Sequence, residues 1–476
     1  MMNGWRMRDW ELNRYRPMQS NLLSAQKAPV AQPLDTNMRV SKDILELLST
    51  AMYPDPLALY REYIQNAADA IEQAIREGLF KGRETPCIDV VIDVEKRSVR
   101  IRDNGVGIPN KDFVSVLTAI GGSAKRGTKA RGFRGVGRLA GLGFCQELVM
   151  RSKSAGDSHV CQLTWDCRKL KQLLRDPACL DDLNAVARQV VGISKIGQKD
   201  VDHFFEVELR NVVRFRNDLL LNETEVSAYL SQVAPVPFSP SFSFGEELNA
   251  RLKQEASLQT FLIVINGNQE PLYRPFQDEF EVRKGLKDRF NSIDFFPIEG
   301  VSGDNDAFGW ILHHGYFGAI PDRTGIKGLR LRSGNIQIGD SKLFEQAFVE
   351  SRFNSWSVGE LHATSNNLLP NGRRDALEFN VHSQNLFTKL QPLTKQIAGK
   401  CRSSSAARVK GNEPPPIPFE TEWGLESSDV EMIKSLPKNM RISFLQIAGP
   451  IFNRTRKDYH GRKAALTILR RIAKES

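Results

Sequence analysis

Leu57-Ala58-Leu59-Tyr60-Arg61-Glu62-Tyr63-Ile64-Gln65-Asn66-Ala67-Ala68-Asp69-Ala70-Ile71-Glu72-Gln73-Ala74-Ile75 contains neither proline nor glycine, and its spacing predicts a helix. Tyr60, Tyr63, Ile64, Ala67, Ile71, Ala74 and Ile75 recur at helical intervals and form one apolar face. Glu62, Asn66 and Asp69 fall in a stripe roughly 60° wide opposite that face, at about 100° per residue. An acid, an amide and a second acid on one stripe can act as a base, a metal ligand and an orienting group. A solvated surface helix explains the same stripe, and the helix alone favours that reading. The sequence downstream changes the balance.

Ile88, Val90, Ile92 and Val94 alternate with Asp89, Val91 and Asp93, which predicts a strand. A turn at Glu95-Lys96-Arg97 leads into a second strand through Val99 and Ile101 to Asp103, making a hairpin. Asp103-Asn104-Gly105-Val106-Gly107-Ile108 follows. A carboxylate at a strand end, with Gly105 and Gly107 behind it, leaves room for a flat group against the backbone. It can accept a hydrogen bond from an exocyclic amine such as that of adenine. A plain hairpin exit has the same pattern. Gly121-Gly122-Ser123-Ala124-Lys125-Arg126-Gly127-Thr128-Lys129-Ala130-Arg131-Gly132-Phe133-Arg134-Gly135-Val136-Gly137 is rich in glycine and positive charge. Its backbone N–H groups can point into one concavity and hold phosphate oxygens, with Lys125, Lys129, Arg131 and Arg134 to neutralise them. A helix start from Val136 adds its N-terminal partial charge. A flexible basic loop is the plain alternative.

The chain has 476 residues, enough for two or three domains, and 41% hydrophobic with 26% charged residues is an ordinary globular composition. No apolar run of about eighteen residues occurs, so no membrane-spanning helix is expected. The first residues carry scattered Arg and Trp without an apolar core, unlike a secretory signal. Six dispersed cysteines without a C-x-x-C pair argue against zinc ribbons and disulfide scaffolds, and point to a cytoplasmic location. A net charge of +10 admits anionic partners without choosing among nucleotide, nucleic acid and acidic protein.

Strand patterns recur at 147–152, 160–165 and 204–209 around a helix near Leu170. Pro235-Val236-Pro237-Phe238-Ser239-Pro240 punctuates the chain. Beyond it, 261–265 and 309–314 read as strands, 328–332 and 335–338 as a hairpin, and 368–377 as a polar turn leading into a helix. His313-His314 lacks companion ligands in sequence and reads as structural. Ser403-Ser404-Ser405 and Pro414-Pro415-Pro416-Ile417-Pro418 mark a linker, and a basic helical tail follows.

Glu62-x-x-x-Asn66-x-x-Asp69-Ala70, Asp103-x-Gly105-x-Gly107 and the glycines from Gly132 to Gly137, in that order, resemble the Bergerat-fold nucleotide pocket of gyrase, the heat-shock-90 chaperones, histidine kinases and MutL. Within that superfamily Arg61-Glu62-Tyr63-Ile64-Gln65-Asn66-Ala67-Ala68-Asp69-Ala70 is most similar to the first motif of the heat-shock-90 chaperones. The resemblance implies an α+β molecule. Its parts would be an irregular arm at 1–35, a two-layer ATP-binding domain at 36–235, an α+β, S5-like middle domain at 241–400, a linker at 401–420 and a basic helical tail at 421–476.

The same resemblance implies a Mg²⁺-dependent ATPase with ATP and Mg²⁺ as its cofactors. Glu62 would be the general base and Asn66 the Mg²⁺ ligand, with Asp69 beside them. Asp103 would hold the adenine amine with Gly105 and Gly107 behind it, Lys125 would fall in the ATP lid, and Gly132, Gly135, Val136 and Gly137 would wrap the phosphates. Sensor histidine kinases lack a base at the Glu62 position, and no phosphoacceptor His helix precedes this one. Gly325-Ile326-Lys327-Gly328-Leu329-Arg330-Leu331-Arg332, Ser357-Val358-Gly359-Glu360 and Leu369-Pro370-Asn371-Gly372-Arg373-Arg374-Asp375-Ala376-Leu377 are similar to the chaperone middle domain, whose arginine reaches the γ-phosphate. Arg374, supported by Asn371, is the counterpart. The spacing from Pro370 is one residue short, which keeps Arg373 open, and the MutL pattern points to Lys327. A protein client and a homodimer are the implied partners, with nucleic acid through the basic tail as the alternative and no membrane. Two features depart from the family: no Gly-Thr pair is evident near 204–209, and the tail is unlike the chaperone dimerisation domain.

Overall fold

A computed structural model describes residues 41–47, 52–82, 84–119, 135–179, 181–197, 203–409 and the single position 467. The arm at 1–35, the basic glycine-rich residues that include Lys125 and Gly132, and nearly all of the linker and tail lie outside the described residues. The molecule is α+β. No helix among the described residues is long and apolar enough to cross a membrane.

A short helical turn, α1 (Ile44–Glu46), precedes the long helix α2 (Ala58–Arg76). Gly78, at a φ of 66°, follows the end of α2. The hairpin of β1 (Cys87–Asp93) and β2 (Ser98–Asp103) pairs Ile88 with Asp103 and Ile92 with Val99. After α3 (Phe113–Thr118) and a 3-10 helix at Gly137–Gly143 come β3 (Glu147–Lys153) and β4 (Val160–Asp166). Then follow α4 (Cys167–Arg175), α5 (Leu183–Val190), β5 (Val191–Ile196), β6 (Phe204–Arg210) and α6 (Glu223–Val233). Side chains alternate along a strand, so Ile88, Val90, Ile92, Val99 and Ile101 enter one core with Leu59, Ile64, Ile71, Leu170, Val186 and Leu230 from the helices. The opposite face is ionic: Arg151 lies 2.6 Å from Glu206 and 2.9 Å from Glu208.

Beyond the proline-rich connector, α7 (Gly245–Ala256) leads to β7 (Leu262–Ile265). This strand corrects the sequence-based division. It lies within 241–400 but pairs in parallel with β1, completing a seven-stranded sheet of order β5-β4-β3-β6-β2-β1-β7. Phe261, Ile263 and Ile265 belong to the first core, whose burial draws the segment back across the connector.

After the hairpin of β8 (Glu279–Arg283) and β9 (Leu286–Arg289), a second sheet forms from β10 (Ser292–Glu299), β11 (Asn305–His313), β12 (Gly328–Ser333), β13 (Ile336–Ile338) and β14 (Val358–Ala363). Its order is β10-β11-β14-β12-β13. Phe308, Trp310 and Leu312 face a phenylalanine-rich core with α7, while Ala307 and Ile311 face a core closed by α8 (Val381–Val409). Here lies a second correction. Ser403, Ser404 and Ser405 are not linker but part of α8, because Cys401 and Ser404 are buried and the Ser404 hydroxyl donates to the Tyr316 carbonyl at 2.9 Å. His313 and His314 are structural, bonded to Asp294 at 2.7 Å and Asp288 at 2.8 Å.

Candidate active site

Helix α2 is fixed in rotation by its tyrosines. The Tyr60 hydroxyl donates to the Leu220 carbonyl at 2.6 Å, and the Tyr63 hydroxyl accepts from the Gly141 N–H at 2.9 Å. With that face buried, Glu62, Asn66 and Asp69 turn toward a cavity rather than toward bulk water; Glu62 is 8% and Asp69 6% exposed. The solvated-face reading of the stripe therefore does not describe them.

Asp103 ends β2 on the core side and is 3% exposed. The loop after it is pinned at four points. The Gly105 N–H donates to Asp103 Oδ1 at 2.9 Å and the Val106 N–H to the Ala70 carbonyl at 3.2 Å. The Ile108 N–H donates to Ser152 Oγ at 2.7 Å, and His203 Nδ1 lies 2.8 Å from the Gly105 carbonyl, which accepts. A Cβ on Gly105 would sit 2.6 Å from the Ala70 side chain, and one on Gly107 would strike the Lys153 carbonyl oxygen. The glycines are there because the loop backbone runs flush against α2 and β3.

On the far side, Gly135, Val136 and Gly137 line the cavity where the 3-10 helix begins. A Cβ on Gly137 would meet Glu62 Oε2, so the backbone touches the carboxylate directly.

The remaining wall comes from the second sheet's side of the molecule. A tight turn bridges Pro370 and Leu377, with the Asn371 N–H on the Ala376 carbonyl at 2.9 Å and the Arg374 N–H on the Asn371 carbonyl at 3.1 Å. Arg374 takes a left-handed φ of 57°, and the Gly339 N–H holds its carbonyl at 2.8 Å. Asn371, Gly372 and Arg374 line the cavity. Arg374 Nε lies 3.7 Å from Glu62 Oε1, and Arg61 Nε lies 3.9 Å from the same oxygen. Burial pushes the Arg374 guanidinium below its ordinary value while Glu62 pulls it back. Arg61 Nη2 also donates to the Arg373 carbonyl at 2.9 Å, fastening the turn to α2. Arg373 itself is exposed. Lys327 Nζ lies 2.7 Å from Asp322 Oδ1 and does not line the cavity.

The cavity holds about 530 Å³, within the range of small-molecule sites. Val106, Ile108, Leu117, Met150 and Phe205 give the cavity apolar lining, and Glu62, Asn66, Asp69, Asp103 and Arg374 give it polar and charged groups. Phe205 stands in the strand where a Gly-Thr pair was lacking. The donors fit Mg²⁺ at a polyphosphate: Asn66 offers an amide oxygen beside two carboxylates, and Mg²⁺ takes one or two protein oxygens there with phosphates and water. Tyr53 and Arg138 also line the cavity and escaped the motif reading. Tyr53 sits outside any repeat, just before Pro54. Burial, with Glu62 adding to it, pushes its phenol well above the ordinary value, so it remains a donor.

Comparison with known proteins matches residues 58–180 to the family of histidine kinase-, DNA gyrase B-, and HSP90-like ATPases. The chaperone protein HtpG of Nitrobacter winogradskyi is 37% identical over 92 residues, 18% of this chain and 14% of that protein. The HtpG of Wolinella succinogenes is 28% identical over 131 residues, 24% of this chain and 21% of that protein. The mitochondrial 75 kDa heat shock protein of Rattus norvegicus is 30% identical over 92 residues, 19% of this chain and 13% of that protein. The match thus spans about a fifth or less of these relatives' lengths. Over residues 58–180 the chain is therefore similar to the histidine kinase-, DNA gyrase B- and HSP90-like ATPases.

Proposed function

We propose that the chain binds and hydrolyses ATP in this cavity and works as a nucleotide-driven clamp resembling a heat-shock-90-type chaperone. One observation carries the reading: Glu62, Asn66, Asp69 and Asp103 from the first sheet's layers share a single cavity with Arg374 from beyond the connector. In this reading adenine lies against the apolar lining with its amine donating to Asp103, and Gly107 leaves space beside it. The phosphates run past Gly135, Val136 and Gly137 toward Glu62. Glu62 accepts a proton from the attacking water, and Arg374 balances charge gathering on the transferred phosphoryl group. Mg²⁺, when bound at the Asn66 oxygen, supplies charge screening for the phosphates. The resemblance also assigns Lys125 and Gly132 to the nucleotide, and both lie outside the described residues. Because the γ-phosphate end meets a turn from the second sheet's side, ATP binding favours one arrangement of the two sheets. A protein client and a second copy of the chain are the partners this mechanism calls for.

All six cysteines are free, which fits a reducing compartment such as the cytoplasm. The alternative of a DNA-associated ATPase gains no support from the relatives above, which are chaperones or heat shock proteins by name, and its basic tail lies outside the described residues. Steady-state ATP turnover tests the reading. Glu62→Ala is expected to lose turnover by about a hundredfold or more while still binding ATP. Equal turnover by the two proteins would sink the assignment of the base.

A further inference from the structure

One cation in the cavity wall has no role in the motifs. Arg138 follows Gly137 directly, lines the cavity and is half-buried. Its backbone is tied to α2, because its carbonyl accepts from the Tyr63 hydroxyl at 3.3 Å. Its side chain runs to the other wall, where Nη2 donates to the carbonyl of Ala119, the C-cap residue of α3. The guanidinium therefore spans the wall from Gly137, which touches Glu62, to the helix that places Val116 and Leu117 on the cavity. A nucleotide with its base at Asp103 and its last phosphate at Glu62 and Arg374 has its phosphate chain against this wall. A guanidinium stays charged at neutral pH and presents its N–H donors as a planar fork, suited to holding a protein carbonyl and a phosphate together.

We propose that Arg138 is a specificity-determining cation that contacts the phosphate chain of a bound nucleoside di- or triphosphate. This rests on the nucleotide reading above and deepens it. The residue would make the site distinguish a nucleoside di- or triphosphate from the bare nucleoside, independently of Asp103, which reads the base.

The test is calorimetric titration of the full chain with ATP, ADP and adenosine in the presence of Mg²⁺, for the unsubstituted protein and for R138A, R138Q and R138K. R138A and R138Q are expected to weaken ATP and ADP by about tenfold or more and adenosine by less than about twofold. R138K recovers part of the loss, since it restores charge without the fork. Thermal melting checks that each variant stays folded, and R138Q, which keeps an N–H donor near Ala119, serves if R138A does not. Equal losses for all three ligands would show that Arg138 only shapes the wall and would overturn the proposal, as would no loss at all. If the unsubstituted chain bound adenosine but gained nothing from phosphates, the proposal would fail while the adenine site stood. If it bound none of the three, the nucleotide reading would fall and this inference with it.

Discussion

Two glycines at the site respond differently to one added methyl group. At Gly107 the backbone has a φ of 67°, and a Cβ would run into the Lys153 carbonyl, which belongs to a strand and cannot yield. Gly107→Ala is expected to destabilise the fold by on the order of 2 kcal/mol or more, read as a lower melting temperature. At Gly137 the obstacle is the Glu62 carboxylate, the far end of a flexible side chain. Under the proposed reading Gly137→Ala should leave melting nearly unchanged and cut ATP turnover by about tenfold or more, because the Glu62 carboxylate is displaced from its place. A melting loss at Gly137 as large as at Gly107 would contradict this division. Residue types at these positions were legible from sequence, since Asp-x-Gly-x-Gly and the later Gly-x-Gly announce close backbone approach. What each glycine approaches was not, because Lys153 and Glu62 are distant in the chain.

β1 and β2 alternate cleanly and a period-two pattern records that, whereas β3, with Leu148, Val149 and Met150 all buried, reads as a strand from its apolar run. β5 went unread because it is a sheet edge whose residues are mostly exposed, so burial imposes no pattern on it. β7 read as a strand but not as part of the first sheet, since its partner β1 lies far back in sequence. What fastens the two sheets is equally hidden. Glu360 on β14 lies 2.6 Å from Arg332 on β12 and also pairs with Arg274, and all three are buried. Arg274 Nε donates to the Val236 carbonyl at 3.1 Å, while Arg332 donates to the carbonyls of Gln232 at 2.5 Å and Ala234 at 3.3 Å. The connector backbone is thus held by arginines that a buried carboxylate keeps in place.

This cluster titrates in acid. Burial pushes His362, beside Glu360, down to about 4 from 6.5, so the unfolded chain takes up its proton before the folded one does. Stability therefore falls as pH drops from about 6.5 to about 4, by up to roughly 3 kcal/mol from this group. Burial would raise the Glu360 carboxyl, but Arg274 and Arg332 hold it well below its ordinary value. Its contribution is present above about 4.5 and is lost on further acidification through its folded value. Melting temperatures measured across this range should drop steadily for the natural chain and less steeply between pH 6.5 and 4 for His362→Gln. Identical slopes would remove His362 from the account.

At the scale of the whole molecule, the cavity is composite. The sequence displayed one half as a compact run of motifs between residues 57 and 137, because α2, the β2 exit and the glycine loop are near neighbours in the chain. The other half, around Arg374, lies 312 positions beyond Glu62, and three cations competed for its role on sequence alone. Geometry separates them: Arg374 reaches Glu62, Arg373 points to solvent and Lys327 is paired with Asp322 away from the cavity. Under the proposed reading Arg374 meets only the end of the nucleotide, where charge develops during transfer, while the base and inner phosphates rest on the first sheet's side. Binding and turnover should then separate. Arg374→Ala is expected to lower ATP turnover by about a hundredfold or more and to change ADP affinity by less than about threefold. Arg373→Ala and Lys327→Ala should keep turnover within about threefold of the natural chain, since neither side chain lines the site. ADP affinity and turnover falling together in Arg374→Ala would mean that the arginine holds the cavity in shape, and the division of labour between the two sheets would have to be redrawn.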